Sequence, residues 1–280
     1  MSSRTNLIKF LLLGFSDVRE LQILHFVVFL VIYLAALMGN LLIITAIALD
    51  DYLHTPMYFF LMNLSIIDLG SISVTIPKSM ANSLINTRLI SYLGCVTQVF
   101  LFLVFTAAAL ALLTVMAYNR YVNICQPLHY KRVINRRVCV QMASSAWITS
   151  IVYSALHTGN TFRLPFCQSS VISQFFCEIS QLLKLACSDS YLSEVGLLAF
   201  LVFFGLNCFV FIIVSYVQIF QTVQRIPSEP GQRKAFSTCL PHLTVISLFL
   251  CTGIFEYLKP ISSLMSNMDL MMFSMLWCLQ

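Results

Sequence analysis

Charged residues are scarce in this chain. Asp, Glu, Lys and Arg make up 10% of its 280 residues, and hydrophobic residues make up 59%, whereas a soluble domain carries about 25% charged residues. The few charges leave five uncharged intervals, 21–49, 89–119, 138–162, 195–224 and 235–255, and a sixth, 52–77, that contains only Asp68. A bilayer-spanning helix needs roughly 20 apolar residues, and a soluble globule of this size cannot bury so much apolar chain. This scarcity excludes a soluble protein and predicts an integral membrane protein.

The sequence also lacks the motifs that accompany catalysis or cofactor binding. It contains no HExxH pair, glycine-rich phosphate loop, GxSxG elbow or CxxC pair, and its five histidines share no ligand spacing. We therefore expect no enzyme activity, no metal and no cofactor. A cleavable signal peptide is also missing before residue 21, so the first span is expected to serve as the insertion signal.

The remaining charges predict the topology. Two loops carry half of the 16 basic residues: Arg120, Lys131, Arg132, Arg136 and Arg137 after the third span, and Arg225, Arg233 and Lys234 after the fifth. Because positive loops stay in the cytoplasm, the N-terminus is predicted to lie outside. The net charge of +5 is thus a topology signal and does not indicate nucleic acid.

The predicted spans form a single domain over 1–280 without internal repeats. They cover 23–49, 57–80, 95–120, 138–158, 192–222 and 236–258. An apolar stretch at 269–280 follows, and its length is about half of a span. We expect a seventh span that is incomplete.

Four cysteines fall at or beyond the predicted outer face: Cys95, Cys167, Cys177 and Cys187. That compartment is oxidising, so these cysteines are expected to pair. Four cysteines allow three pairings, and the residues by themselves do not choose among them.

Polar residues inside the spans have two interpretations each. Asp68 is costly within a membrane, by roughly 2.5–3.5 kcal/mol on insertion scales, so it should face the bundle interior. It is either an ion or proton site, or an anchor bonded to Asn40 and Ser65. Arg120 is either a helix-end charge that snorkels to water or a switch residue. Three residues in the outer half of the third span either line a cavity or join helices: Thr97, Gln98 and Thr106.

Two long segments carry a family resemblance. Residues 53–61 read LHTPMYFFL, and residues 116–130 read MAYNRYVNICQPLHY. Shorter matches follow the same order at 10–16, 39–40, 64–68, 215–216 and 234–242. Together they resemble the olfactory (odorant) receptors, which are rhodopsin-like G-protein-coupled receptors.

The resemblance implies an all-α membrane protein, a seven-transmembrane-helix receptor bundle whose seventh helix is incomplete here. It implies an odorant receptor that binds small volatile, hydrophobic ligands and activates a stimulatory heterotrimeric G protein. The implied location is the plasma membrane, as a multi-pass protein with an extracellular N-terminus. The remaining partner is the lipid bilayer.

Particular residues inherit expected roles from the resemblance. The implied disulfides are Cys95–Cys177 and Cys167–Cys187. The central polar site comprises Asn40 and Asp68. The G-protein switch comprises Asn119, Arg120, Tyr121 and Tyr216. The odorant pocket comprises Phe102, Leu103, Thr106, Phe200, Leu250, Gly253, Ile254 and Tyr257.

The sequence also departs from the family pattern. Asn119 stands where the family has Asp, so the acid beside Arg120 is missing. An N-terminal glycosylation sequon and the NPxxY-type motif of the seventh span are absent as well. These departures support an alternative, a non-signalling truncated remnant that is retained in the endoplasmic reticulum and pairs with intact receptors. A transporter is disfavoured, because the spans lack repeated halves and contain one acid.

Overall fold

The computed structural model describes residues 9–12, 19–85, 89–164, 171–172, 176–177, 179–185 and 191–258. Six long helices dominate this part of the chain: α1 (Arg19–Leu49), α2 (Pro56–Ile85), α3 (Tyr92–Cys125), α5 (Arg136–Thr161), α7 (Tyr191–Gln224) and α8 (Glu229–Leu258). Shorter elements complete it: a 3-10 helix (Asp51–Leu53), α4 (Pro127–Val133), α6 (Ile179–Leu185), β1 (Lys9–Leu12), β2 (Leu89–Ser91) and β3 (Val171–Ile172).

All six long helices are apolar enough to cross a membrane. Each predicted span lies within one of them, and the helices extend past the predicted limits because backbone hydrogen bonding continues into the charged interface. Arg19 and Glu20, for example, form the first turn of α1. The structure thus confirms an all-α membrane bundle, while the predicted partial span at 269–280 lies outside the described residues.

Local sequence signals set the ends of the helices. Ser91 caps α3 by accepting a hydrogen bond from the Gly94 amide at 3.1 Å, and Asn135 caps α5 in the same way through the Val138 amide at 3.0 Å. Such side chains satisfy amides that have no partner within the helix. Pro127 occupies the first turn of α4, where its missing N–H costs nothing.

Helix α3 is the centre of the bundle. It packs against α2, α5, α7 and α8, and α1 packs on α2. Small residues of α3, including Ala108 and Ala117, are fully buried and let neighbouring backbones approach closely. Phe60, Ile67 and Leu112 fill the core beside them.

The bundle's outer surface is apolar as well. Leu42 on α1 and Phe203 on α7 each expose about two thirds of their side chains, at 66% and 67%. Exposed apolar side chains on a spanning helix are suited to lipid and not to water. The bundle therefore presents the surface that a bilayer requires.

A three-stranded sheet covers one end of the bundle, with strand order β2-β1-β3. Strand β1 pairs antiparallel with β2, with Phe10 opposite Ile90, and parallel with β3, with Leu12 opposite Ile172. Phe10 is buried and packs beside Cys95. We call this end the outer end and the opposite end the cytoplasmic end, following the predicted orientation.

The implied disulfide Cys95–Cys177 is present and joins α3 to the loop segment before α6. Gln98 reinforces the same junction. Its Oε1 accepts a hydrogen bond from the Cys177 amide at 2.9 Å, and its Nε2 donates to the Val74 carbonyl of α2 at 3.1 Å. Of the two interpretations of Gln98, the structure supports the one that joins helices. Cys167 and Cys187 lie outside the described residues.

Candidate functional site

A cavity of about 610 Å³ opens at the cytoplasmic end. Its walls come from the start of α2, the end of α3, α4 and the first turns of α8. Asn119, Arg120, Tyr130 and Thr238 are among its lining residues. The predicted switch residues Asn119 and Arg120 therefore line this cavity.

Arg120 connects α3 to α8. Its guanidinium Nη1 donates a hydrogen bond to the backbone carbonyl of Thr238, and the side chain is buried, with 7% exposed. Among the described residues, its Nε has no hydrogen-bond partner. A snorkelling arginine extends its head group into water, whereas Arg120 turns inward to the neighbouring helix.

Asn119 does not pair with Arg120. Its Oδ1 accepts a hydrogen bond from the Tyr130 hydroxyl of α4 at 3.2 Å. Burial raises the pKa of Tyr130 above its ordinary value, and the nearby Cys139 adds to the increase, while the bond to Asn119 opposes it. Tyr130 therefore keeps its proton at neutral pH and acts as the donor that ties α4 to α3.

Tyr216 connects α7 to α8. Its hydroxyl is hydrogen-bonded to Nδ1 of His242, and the two rings lie 5.9 Å apart between centroids. His242 is buried, and in the described part of the chain its Nε2 has no partner. The bonds made by Arg120 and by Tyr216 both end on α8, so these two residues and His242, which we call the cytoplasmic cluster, link α3, α7 and α8.

Tyr121, the fourth predicted switch residue, packs below this cluster. Its ring contacts the apolar group that contains Ile219, Val223 and Cys239, and its hydroxyl accepts a hydrogen bond from Gln126 Nε2 at 3.3 Å. Tyr121 therefore joins the end of α3 to α7 and α8 by packing.

The central polar site is less connected than the sequence predicts. Asn40 Nδ2 donates to the Ala36 carbonyl of its own helix at 3.0 Å. Asp68 is half-buried, and over the described ranges no hydrogen bond or ion pair joins it to Asn40 or Ser65. The structure therefore does not show Asp68 as an anchor that bonds to Asn40 and Ser65.

The predicted odorant residues are distributed over the outer halves of three helices. Phe102 contacts Phe176 at 5.6 Å between ring centroids, and Leu103 packs against the cluster around Cys95. Phe200 lies 6.0 Å from the ring of Tyr153. Phe102 and Leu103 are consecutive residues of α3, and they pack against different groups of side chains.

The other predicted odorant residues differ in their surroundings. Thr106 donates a hydrogen bond to the Phe102 carbonyl of its own helix, and Thr97, predicted only as a candidate cavity-lining residue, donates to the Leu93 carbonyl. Leu250 lines a separate space between α7 and α8. The side chains of the remaining three lie outside the described part of the chain: Gly253, Ile254 and Tyr257.

Comparison with known proteins decides the family. A family model described as olfactory receptor matches residues 29–276. Human olfactory receptor 14I1 is 53% identical over 270 residues, which cover 96% of this chain and 87% of that receptor. Human olfactory receptor 14A16 is 51% identical over 269 residues, with coverage of 96% and 87%. The chain belongs to the olfactory receptor family. This olfactory receptor is therefore a multi-pass membrane receptor and not an enzyme, and the resemblance seen in its sequence is confirmed.

Sequence reasoning missed three residues of this olfactory receptor that bond to its predicted switch residues: Tyr130, Thr238 and His242. Thr238 acts through its backbone carbonyl, which carries no sequence signal. His242 does carry a sequence signal, because a histidine within an apolar span indicates a polar interaction in the bundle interior. Tyr130 lies in a short helix between spans, where hydropathy gives no guidance.

Proposed function

We propose that this olfactory receptor binds a small volatile odorant in the outer half of its bundle and activates a stimulatory heterotrimeric G protein. The proposal places the protein in the plasma membrane with its N-terminus outside. The observation that carries it is the cytoplasmic cavity, which is closed on one side by the bond between Arg120 and the Thr238 carbonyl.

Activation follows from the bonds that hold α8. When α8 moves away from α3, the bond from Arg120 to Thr238 breaks, and the cavity widens. The bond between Tyr216 and His242 connects the same helix to α7, so it opposes the same movement. An odorant that binds the open state better shifts the population toward it, and a G-protein segment then occupies the widened cavity.

The outer half of the bundle provides apolar surface for the odorant. Phe102 on α3 contacts Phe176 from the loop, and the neighbouring Leu103 packs against the apolar group around Cys95. A small volatile ligand gains its affinity mainly from burial of apolar area. The aromatic and aliphatic character of these residues therefore favours a hydrophobic ligand.

The test combines surface staining with a signalling assay. Cells expressing the chain with an N-terminal tag are stained without permeabilisation and then exposed to a panel of volatile odorants while cyclic AMP is recorded. We expect surface staining and a cyclic AMP rise with at least one odorant. Arg120→Ala should abolish the rise at equal surface level, whereas Arg19→Ala, at the outer end, should leave it unchanged.

The opposite result has a definite meaning. Staining that appears only after permeabilisation, with no cyclic AMP response, would overturn the proposal. It would support the alternative of a non-signalling receptor retained in the endoplasmic reticulum. A response that survives Arg120→Ala would contradict the role of the cytoplasmic cavity.

A further inference from the structure

A second cleft at the cytoplasmic end lies between α1 and α5, both of which pack on α2. Its volume is about 650 Å³, within the range of about 300–1,000 Å³ that ligand pockets occupy. Its floor is apolar and includes Ile47, Phe59, Met62 and Cys139. We call it the α1–α5 cleft. It adjoins the cavity that contains Arg120, because Thr55 and Pro56 line both spaces.

The rim of the α1–α5 cleft is polar, in contrast to its floor. His54, Thr55, Asn135 and Arg136 line it where the helices reach the cytoplasmic interface. A phospholipid has the same arrangement, with a polar head group at the interface and acyl chains in the membrane. The cleft therefore matches an amphipathic ligand that lies parallel to the helices.

The charge of Arg136 is available to such a ligand. Arg136 is exposed, and the described residues offer it no ion pair and no hydrogen bond. The two nearby acids have other partners, because Asp50 accepts from the Tyr52 amide at 2.9 Å and Asp51 lies 3.5 Å from His54. The Arg136 guanidinium can therefore pair with an anion from outside the chain.

The first turn of α5 adds to this preference. Arg136 opens α5, a helix of 26 residues, so the positive end of the helix dipole faces the rim. Arg137 follows but does not line the cleft. Basic pockets between membrane helices on the cytoplasmic side suit anionic lipid head groups.

We propose that the α1–α5 cleft binds one anionic phospholipid of the inner leaflet. Its phosphate lies against Arg136 and the start of α5, and one acyl chain occupies the floor. Water is a poor occupant, because the floor offers it no hydrogen-bond partners. A sterol would leave Arg136 unpaired, since it has no anionic group. The assignment to the inner leaflet rests on the orientation proposed above.

The test is photolabelling of the purified full-length chain in nanodiscs of phosphatidylcholine. One sample contains a small fraction of phosphatidylserine with a photoreactive acyl chain, and a matched sample contains phosphatidylcholine with the same chain. Labelled sites are mapped by peptide mass spectrometry. Because a nanodisc exposes both faces of the protein, the result depends neither on orientation in cells nor on signalling.

We expect the phosphatidylserine probe to label peptides that contain residues 47–62 and 134–140. Arg136→Gln should reduce this labelling about fivefold, the effect of one basic residue at an anionic membrane surface. Arg137→Gln is the matched control and should retain most of the labelling, since Arg137 does not line the cleft. Ala48→Trp should remove the label from the floor by filling it while keeping Arg136.

Three results would overturn the proposal. They are equal labelling by the two phospholipid probes, unchanged labelling in both Arg136→Gln and Ala48→Trp, and stronger labelling of the same peptides by a photoreactive sterol. Thermal unfolding of each variant in the same nanodiscs identifies a misfolded protein. If Arg136→Gln fails to fold, Ala48→Trp decides the test by itself.

Discussion

The outer end of this receptor is joined by a disulfide and a sheet, whereas its cytoplasmic end is joined by side-chain hydrogen bonds and apolar packing. At the outer end, Cys95–Cys177, Gln98 and the strands connect α3 to two other segments of the chain. At the cytoplasmic end, α8 is held by the hydrogen bonds of Arg120 and Tyr216 and by the packing of Tyr121.

The two kinds of connection differ in strength. A native disulfide contributes about 2–5 kcal/mol, and a hydrogen bond contributes about 0.5–1.5 kcal/mol net. Two buried nitrogens of the cytoplasmic cluster, Arg120 Nε and His242 Nε2, also have no partner in the described part of the chain. We therefore expect the outer end to keep one conformation and the helices at the cytoplasmic end to rearrange more easily.

The largest expected effect is the loss of the disulfide. Cys95→Ser should lower the free energy of unfolding by about 2–5 kcal/mol, because the covalent link between α3 and the outer loop is removed. The measurement is the thermal unfolding midpoint of the purified receptor in detergent. Cys251→Ser is the control, since Cys251 is an exposed free cysteine. Equal midpoints for the two variants would contradict the strong outer connection.

The next largest effect on stability is expected at the contact between α2 and α3, two helices that run from one end of the bundle to the other. A Cβ added to Gly70 would lie 2.3 Å from Cζ of Phe105, and the Phe105 ring is already packed edge-on against Trp147 at 6.2 Å. Gly70→Ala should therefore lower stability by about 1–3 kcal/mol through overpacking. Gly39→Ala is the matched control, because a Cβ there has nothing within 4 Å. A Gly70→Ala midpoint as high as that of Gly39→Ala would contradict this packing.

A pair of tyrosine variants compares the two ends directly. Tyr216→Phe removes the bond to His242 and leaves its ring nitrogen unpaired, at a cost of about 1–2 kcal/mol. Because this bond holds the resting state, basal cyclic AMP should rise, and a shift of that size changes a population ratio about 5–30-fold. Tyr92→Phe removes the outer bond to the Phe162 carbonyl and should lower the unfolding midpoint without changing basal cyclic AMP. Equal basal signals in the two variants would remove the functional difference between the ends.

The smallest expected effect concerns the acid beside Arg120, which Asn119 replaces in this chain. Asn119→Asp places a carboxylate beside Arg120 and keeps an acceptor for Tyr130. Because both side chains are buried, the cost of desolvating the carboxylate offsets much of its attraction to Arg120, so we expect a small stabilisation of the resting state and a slightly lower basal cyclic AMP level. Asn160→Asp adds the same charge at the outer end and should leave the signal unchanged. An increase in basal signal with Asn119→Asp would show that the acid does not hold the resting state.

The spans could be predicted from the sequence because membrane insertion depends on composition. Uncharged runs locate the six long helices to within seven residues at each end, but not the short helices α4 and α6. The extra turns arise where helices continue through charges such as Arg19 and Glu20. The three-stranded sheet could not be predicted in this way. Its strands contain two to four residues each, too few for a periodic pattern, and they pair between distant segments.

The site was predictable only in part, for a related reason. Family motifs located Arg120 and Tyr216, because the residue types themselves identify the positions. The partners of Arg120 and Asn119 were not predictable, because a backbone carbonyl at Thr238 and a phenol in α4 become neighbours only after the helices pack. The α1–α5 cleft likewise depends on the space left between two helices that are distant in sequence.

The central strand of the outer sheet has a consequence for biosynthesis. Residues 9–12 leave the ribosome before the other two strands, but β1 pairs with 89–91 on one side and with 171–172 on the other. In the proposed orientation, this segment crosses the membrane early and remains unpaired until the chain beyond α5 has followed it. Phe10 therefore becomes buried only after all three strands have paired. A fluorescent probe at that position would report when a newly made receptor has inserted its first four spans.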